Sequence, residues 1–88
     1  MTAAEIANRI NVHLKRFEAD PEINKDRSGR GHPYYHARSY ANGRWVHVCY
    51  ITYQGGDSLS RVDAERYLAW LDAGNVGRHF EAFRVKGA

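Results

Sequence analysis

The sequence predicts an α+β fold in one domain spanning residues 1–88, with the element order α-β-β-α-α. Two segments show apolar residues at helical spacing, and each begins with a helix-capping signal. Between them, two strand-like runs flank the dipeptide Asn42-Gly43, which is typical of a hairpin turn. We therefore expect a small antiparallel hairpin that helices cover on one face.

The first helix is predicted over about residues 3–19. Thr2 and Glu5 have the spacing of a capping box, in which each side chain bonds the backbone of the other residue. Apolar residues then recur at helical intervals as far as Phe17. Pro21 disfavours helical backbone in the residue before it, so the helix should end near position 19. Residues 20–33 contain two prolines and two glycines among charged residues, and we expect a loop there.

The hairpin is predicted over residues 34–53. Asn42-Gly43 readily adopts the two positive φ angles of a type I′ turn, which brings 34–41 and 44–53 together as antiparallel strands. With these two residues at the turn, each residue of one strand faces the residue of the other strand that is equally far from the turn. Arg38 should then face His47.

A second helix is predicted over about residues 61–73, with Ser60 as its N-cap and Gly74 just beyond its end. Apolar residues continue at helical intervals after it, which predicts a short third helix over about 76–85, capped by Asn75. A strand is the competing interpretation of 76–85. Either this segment adds a third strand or a sheet edge pairs with a second copy of the chain, because a two-stranded sheet is marginal alone.

The two faces of the predicted hairpin differ in chemistry. One, the aliphatic face, carries small apolar and hydroxyl side chains: Ala37, Ser39, Ala41, Val46 and Val48. The other, the basic aromatic face, carries Tyr34, His36, Arg38, Tyr40, Trp45, His47, Cys49, Ile51 and Tyr53. Burying an arginine and two histidines costs about 1–3 kcal/mol for each unsatisfied group, so the helices should cover the aliphatic face. The alternative is a second minicore, in which Trp45, Ile51 and Tyr53 pack with the N-terminal helix.

Charge is distributed unevenly along the chain, whose net charge is +3. The stretch between Asp26 and Asp57 contains four arginines and no acidic residue. Arginine interleaved with aromatic residues suits either a protein interface or a phosphate-bearing, base-stacking partner. The predicted binding residues are Arg27, Arg30, Tyr34, His36, Arg38, Tyr40, Trp45, His47 and Tyr53.

Two chemical alternatives involve the histidines of the hairpin. His36, His47 and Cys49 are the only plausible zinc cluster, with His32 as a fourth ligand, but their spacing matches no zinc motif. His36 and Cys49 also lack the orienting carboxylate and oxyanion donors that a thiolate–imidazole dyad requires. We therefore expect no metal, no cofactor and no enzymatic activity.

The leading hypothesis is a non-enzymatic binding protein that engages a protein or nucleoprotein target through the basic aromatic face. The alternative is a direct single-stranded DNA- or RNA-binding protein, and a zinc- or cysteine-dependent enzyme is a remote third. The single cysteine excludes an internal disulfide, and no apolar run approaches the ~20 residues that span a bilayer. We expect no membrane partner, a cytoplasmic location and a homodimer as one option. In size and lack of catalytic apparatus the chain resembles small phage- or mobile-element-encoded proteins, anti-CRISPR inhibitors among them, although no shared motif carries that resemblance.

Overall fold

A computed structural model describes residues 1–20, 22, 35–50 and 57–83 of the chain, with the backbone alone at Tyr35, Cys49 and Tyr50. Its elements are α1 (Ala3–Ala19), β1 (Tyr35–Ser39), β2 (Trp45–Tyr50), β3 (Asp57–Ser60), α2 (Arg61–Asp72) and α3 (His79–Phe83). The α+β prediction is confirmed, but the observed order is α-β-β-β-α-α. One strand was therefore missing from the sequence interpretation.

The first helix forms as its caps and its periodicity dictate. The Glu5 N–H donates to the Thr2 hydroxyl at 3.1 Å, and the Thr2 N–H donates to the Glu5 carboxylate at 2.7 Å. This capping box is as predicted, and it satisfies two backbone donors at the start of α1. The helix buries one stripe of residues: Ala3, Ile6, Ala7, Ile10, Leu14 and Phe17.

The hairpin has the predicted register and a different turn. His36 lies opposite Cys49, and Arg38 lies opposite His47. Gly43 has a φ of +70°, but no residue other than glycine has a positive φ among the described residues, so the type I′ turn was wrong. The Gly43 N–H instead bonds the Tyr40 carbonyl at 2.9 Å, as in a four-residue loop built on a type I turn. The strands were predicted over 34–41 and 44–53. Of the described positions in these ranges, 40, 41 and 44 lie outside the observed strands.

The missing strand is β3, which pairs antiparallel with the far side of β2 to give the sheet order β1-β2-β3. The sequence interpretation ended the strands at Gln54–Asp57 and treated this region as a turn. Asp57–Ser60 instead extends the sheet, and Ser60 then caps α2 by accepting from the Asp63 N–H at 3.1 Å. The third strand therefore comes from neither the C-terminal segment nor a second copy.

The core lies between the sheet and the helices α1 and α2. Ala37, Val46, Val48 and Leu59 on one sheet face are buried in a single cluster with the apolar stripes of both helices. This result confirms that the helices cover the aliphatic face. Trp45 does not take part in the alternative minicore, because α1 packs on the opposite side of the sheet and Trp45 is 41% exposed. The other two minicore residues, Ile51 and Tyr53, lie outside the described residues.

A polar clamp joins α1 to the first strand. The Asn11 side chain accepts from the Ala37 N–H at 2.6 Å and donates to the Ala37 carbonyl at 2.8 Å. The side-chain amide therefore forms hydrogen bonds with both backbone polar groups of Ala37, a buried residue on the outer strand, as a neighbouring strand would. No local signal predicts this contact, because Asn11 and Ala37 lie 26 positions apart.

The C-terminal part is helical at His79–Phe83, within the predicted range. Asn75 is not the cap of this helix, which begins four residues later; its side-chain amide donates to the Trp70 carbonyl at 2.9 Å and ends α2. The His79 ring is 6% exposed and bonds the Asp57 carboxylate at 2.7 Å, which fastens α3 to β3. Within the described ranges, no helix combines the length and apolar character needed to cross a lipid bilayer.

Candidate functional site

The basic aromatic face lies on the side of the sheet away from the core. Alternation along the strands places His36, Arg38, Tyr40, Trp45 and His47 together there, and β3 adds Ser58 to them. Arg38 is exposed, and so are Trp45 and Tyr40, at 41% and 38%. The sequence-predicted residues of the two described strands are therefore brought together on one open surface.

Tyr40 is the best anchored side chain on this face. It follows β1, yet its hydroxyl lies 2.6 Å from the Ser58 hydroxyl on β3, so the side chain reaches across the intervening strand. On the way its ring meets the His47 ring edge to face, with centroids 6.2 Å apart. These contacts restrict the ring before any partner arrives, which lowers the entropy lost when it is buried in an interface.

Trp45 begins β2 beside Tyr40. The Tyr40 N–H donates to the Trp45 carbonyl at 3.1 Å, so the two aromatic residues are directly cross-strand. On its other side Trp45 faces Ser60 of β3, a small residue that leaves the indole uncovered from that direction. Two large aromatic side chains thus stand next to each other on a regular sheet.

The electrostatics of the face come from Arg38. None of the face positions in the described strands holds an aspartate or glutamate, and no ion pair to Arg38 occurs within the described residues. Burial lowers the pKa of His36, and the neighbouring His47 and Arg38 charges lower it further. His36 therefore favours its neutral form, and Arg38 carries the fixed positive charge.

His47 lies at the centre of the face with one ring nitrogen buried. Within the described part of the chain, its Nδ1 has no hydrogen-bond partner.

Four predicted binding residues lie outside the described residues: Arg27, Arg30, Tyr34 and Tyr53. The register does place His36 opposite Cys49, as the zinc and dyad alternatives required, but the Cys49 side chain also lies outside the described set. Among the side chains that the structure describes, no group of three histidine, cysteine, aspartate or glutamate residues is arranged to hold a metal ion.

Sequence reasoning missed two features of β3. Ser58 was overlooked because β3 was overlooked, and the only signal for that strand was the apolar Leu59 between two serines. The His79–Asp57 pair was also missed, since 22 positions separate the two residues. The rings of Tyr67, Phe80 and Phe83 lie 5.7–6.4 Å from the His79 ring, so this pair is part of the packing of α3.

Comparison with known proteins adds no relative: no family model, no curated protein and no solved structure matches this chain. The basic aromatic face must therefore be interpreted from its own chemistry.

Proposed function

We propose that this protein is a small, non-enzymatic binding protein whose functional surface is the basic aromatic face, and whose target is a protein or nucleoprotein. The observation that carries the proposal is the exposure of Arg38, Tyr40 and Trp45 side by side on the sheet face that the helices leave uncovered. Arginine, tyrosine and tryptophan are the residue types that dominate binding energy at interfaces.

The physical properties of the face favour recognition. Trp45 stands on β2, and Tyr40 follows β1 directly and is held by hydrogen bonds to Trp45 and Ser58, so little ordering is needed when a partner covers them. Arg38 offers a planar fork of donors with no carboxylate beside it on the sheet, which favours a partner that supplies carboxylate or phosphate oxygens.

The chemistry of the face gives less support to catalysis. A general base or nucleophile is normally oriented by a third group, most often a carboxylate. The face positions of the described strands hold histidines but no aspartate or glutamate. A protein of this kind can act as an inhibitor or regulator by covering a site on a larger complex.

The experiment that tests this proposal is capture of a partner from lysate of the source cells by tagged protein, with and without nuclease treatment. We expect Arg38→Ala and Trp45→Ala to lose the captured partner while keeping the wild-type circular dichroism spectrum. Arg9→Ala and Phe80→Ala are the matched controls, because they remove an exposed arginine from α1 and a 44% exposed aromatic ring from α3.

Equal loss of capture in all four variants, or undiminished capture by folded Arg38→Ala and Trp45→Ala, would place the functional surface elsewhere. Unfolding of Trp45→Ala would show that the indole contributes to the core in spite of its exposure. In that case Trp45→Phe, which keeps an aromatic ring on β2, takes its place in the comparison.

A further inference from the structure

We infer that the part of the target contacted by the basic aromatic face is an unpaired nucleic-acid strand, with bases stacked on Tyr40 and Trp45 and a phosphate held by Arg38. This inference rests on the proposed function and narrows it to one class of partner. The strand can belong to a nucleoprotein, as in the proposed function, or it can be free, which is the alternative named in the sequence analysis. The experiment below separates these two sources.

The aromatic pair is the first argument. Tyr40 and Trp45 are directly opposite each other across the hairpin, and both are about two-fifths exposed. Facing residues at such a hydrogen-bonded position have Cα atoms about 5.5 Å apart, so the two side chains offer neighbouring platforms. Aromatic residues on the open face of an antiparallel sheet stack successive unpaired bases in known RNA-binding modules, because every base presents a π-face.

The anchoring of Tyr40 is the second argument. Its hydroxyl is already engaged by Ser58 at 2.6 Å, so this residue contributes ring surface more than a free polar group. A protein partner would gain from an available tyrosine hydroxyl at the interface, whereas a base needs only the ring. The Tyr40–Ser58 contact therefore favours stacking over hydrogen bonding as the use of this side chain.

The charge of the face is the third argument. Arg38 lies on the same face, without an acidic neighbour on the described strands, and Arg44 is exposed just before Trp45. Phosphates match a positive surface free of carboxylates. Among the described residues, no helix projects from this sheet face to enter a duplex groove, and paired bases are not available for stacking, so an unpaired strand fits the face better than a duplex.

This arrangement predicts that electrostatic attraction contributes little to the binding affinity and that base stacking contributes most of it. Two arginines near the face correspond to about two neutralised phosphates, which gives a slope of log affinity against log salt of about −1.4 for a single strand. Loss of one stacked base corresponds to about 1–3 kcal/mol, which is roughly a 5- to 150-fold weaker affinity.

The test measures fluorescence anisotropy with purified full-length protein and fluorescein-labelled oligothymidylate or oligouridylate of about 12 nucleotides, a length within the usual site sizes. A duplex of the same length is the comparison probe. In a Trp70→Phe background, Trp45 is the only tryptophan, so quenching of its fluorescence reports stacking directly.

We expect a single strand to bind more tightly than the duplex, to quench Trp45 and to show the shallow salt slope. Trp45→Leu and Tyr40→Leu should weaken binding by the fold-change given above, and Trp45→Phe should restore most of it, because a leucine keeps apolar bulk but has no ring. Arg38→Ala should weaken binding and flatten the salt slope further. Arg9→Ala and Phe80→Ala should bind as the wild type does.

Three outcomes overturn the inference. Equal binding of duplex and single strand with a steep salt slope would show general attraction to phosphate. Absence of oligonucleotide binding, together with nuclease-resistant capture of a partner that depends on Arg38, would identify an acidic protein and leave the proposed function standing. Absence of both would remove the proposed function as well. Nuclease-sensitive capture together with oligonucleotide binding would support the inference and show that the strand is supplied within a nucleoprotein.

Discussion

The two hydrogen bonds between Asn11 and Ala37 allow a quantitative test of how the contact between α1 and the sheet contributes to stability. In Asn11→Ala, the Ala37 N–H and C=O lose their partners at 2.6 and 2.8 Å. Ala37 is 5% exposed, and an unsatisfied buried polar group costs about 1–3 kcal/mol. Water can reach part of this site because Asn11 is only partly buried, so the lower bound applies to each group.

The substitution also raises helix propensity, since alanine is favoured over asparagine inside a helix by roughly 0.7 kcal/mol or less. Subtracting this gain from the lower bound for two groups leaves a net loss of about 1.5 kcal/mol in the free energy of unfolding. For a domain of this size, that corresponds to a fall in melting temperature of about 6–12 °C.

Asn8→Ala is the matched control, because Asn8 is exposed on the same helix and its replacement gains the same propensity. Urea unfolding of both variants and the wild type measures the difference. We expect Asn8→Ala to be equal to the wild type or slightly more stable, and Asn11→Ala to be clearly less stable. Unfolding free energies of the two variants within about 0.5 kcal/mol of each other would refute the role of the clamp.

Three further predictions concern the hairpin. Gly43→Val should destabilise the protein by about 1–3 kcal/mol in urea unfolding, because a β-branched residue resists the φ of +70°. The cause is backbone strain and not a clash, since no atom lies within 4 Å of a Cβ added at this position. An unchanged unfolding midpoint would contradict the turn geometry. The pKa of His36 is lowered by burial, so the unfolded chain binds its proton first and the wild type should lose stability as pH falls below about 6.5. His36→Gln should lose less between about pH 7.5 and pH 5, and parallel pH profiles would argue against that shift. A strong chelator should leave the melting temperature unchanged, and a large fall would instead show a bound metal, with His36, His47 and Cys49 as its candidate ligands.

Local signals in the sequence were sufficient for the helices and for the hairpin register. Thr2 and Ser60 cap their helices with side-chain oxygens placed by sequence spacing alone, and Gly43 supplies the positive φ of the turn. The composition of the two hairpin faces predicted which face is buried, since small aliphatic residues permit close approach of helices. These features depend on residues near one another in the chain.

The features that were missed depend on distant contacts. Asp57–Ser60 contains one apolar residue, Leu59, so four residues gave too little alternation to reveal a strand beside a strong helix cap. Asn11 is a polar residue of the predicted helix, and only the approach of β1, 26 residues away, gives its amide a structural role. The type I′ prediction failed because Gly43 alone needs a positive φ once the loop contains four residues.

The direct junction of β3 and α2 has a consequence for how this chain can change over evolution. Ser60 is the last residue of the strand and the cap of the helix, so no spacer absorbs a change in length. One residue inserted after Ser60 would rotate α2 by about 100° and shift it by about 1.5 Å, since a helix has 3.6 residues per turn. Tyr67 and Leu71, which are now fully or almost fully buried, would leave the core. Homologous chains should therefore keep the length of this junction fixed even where its sequence varies.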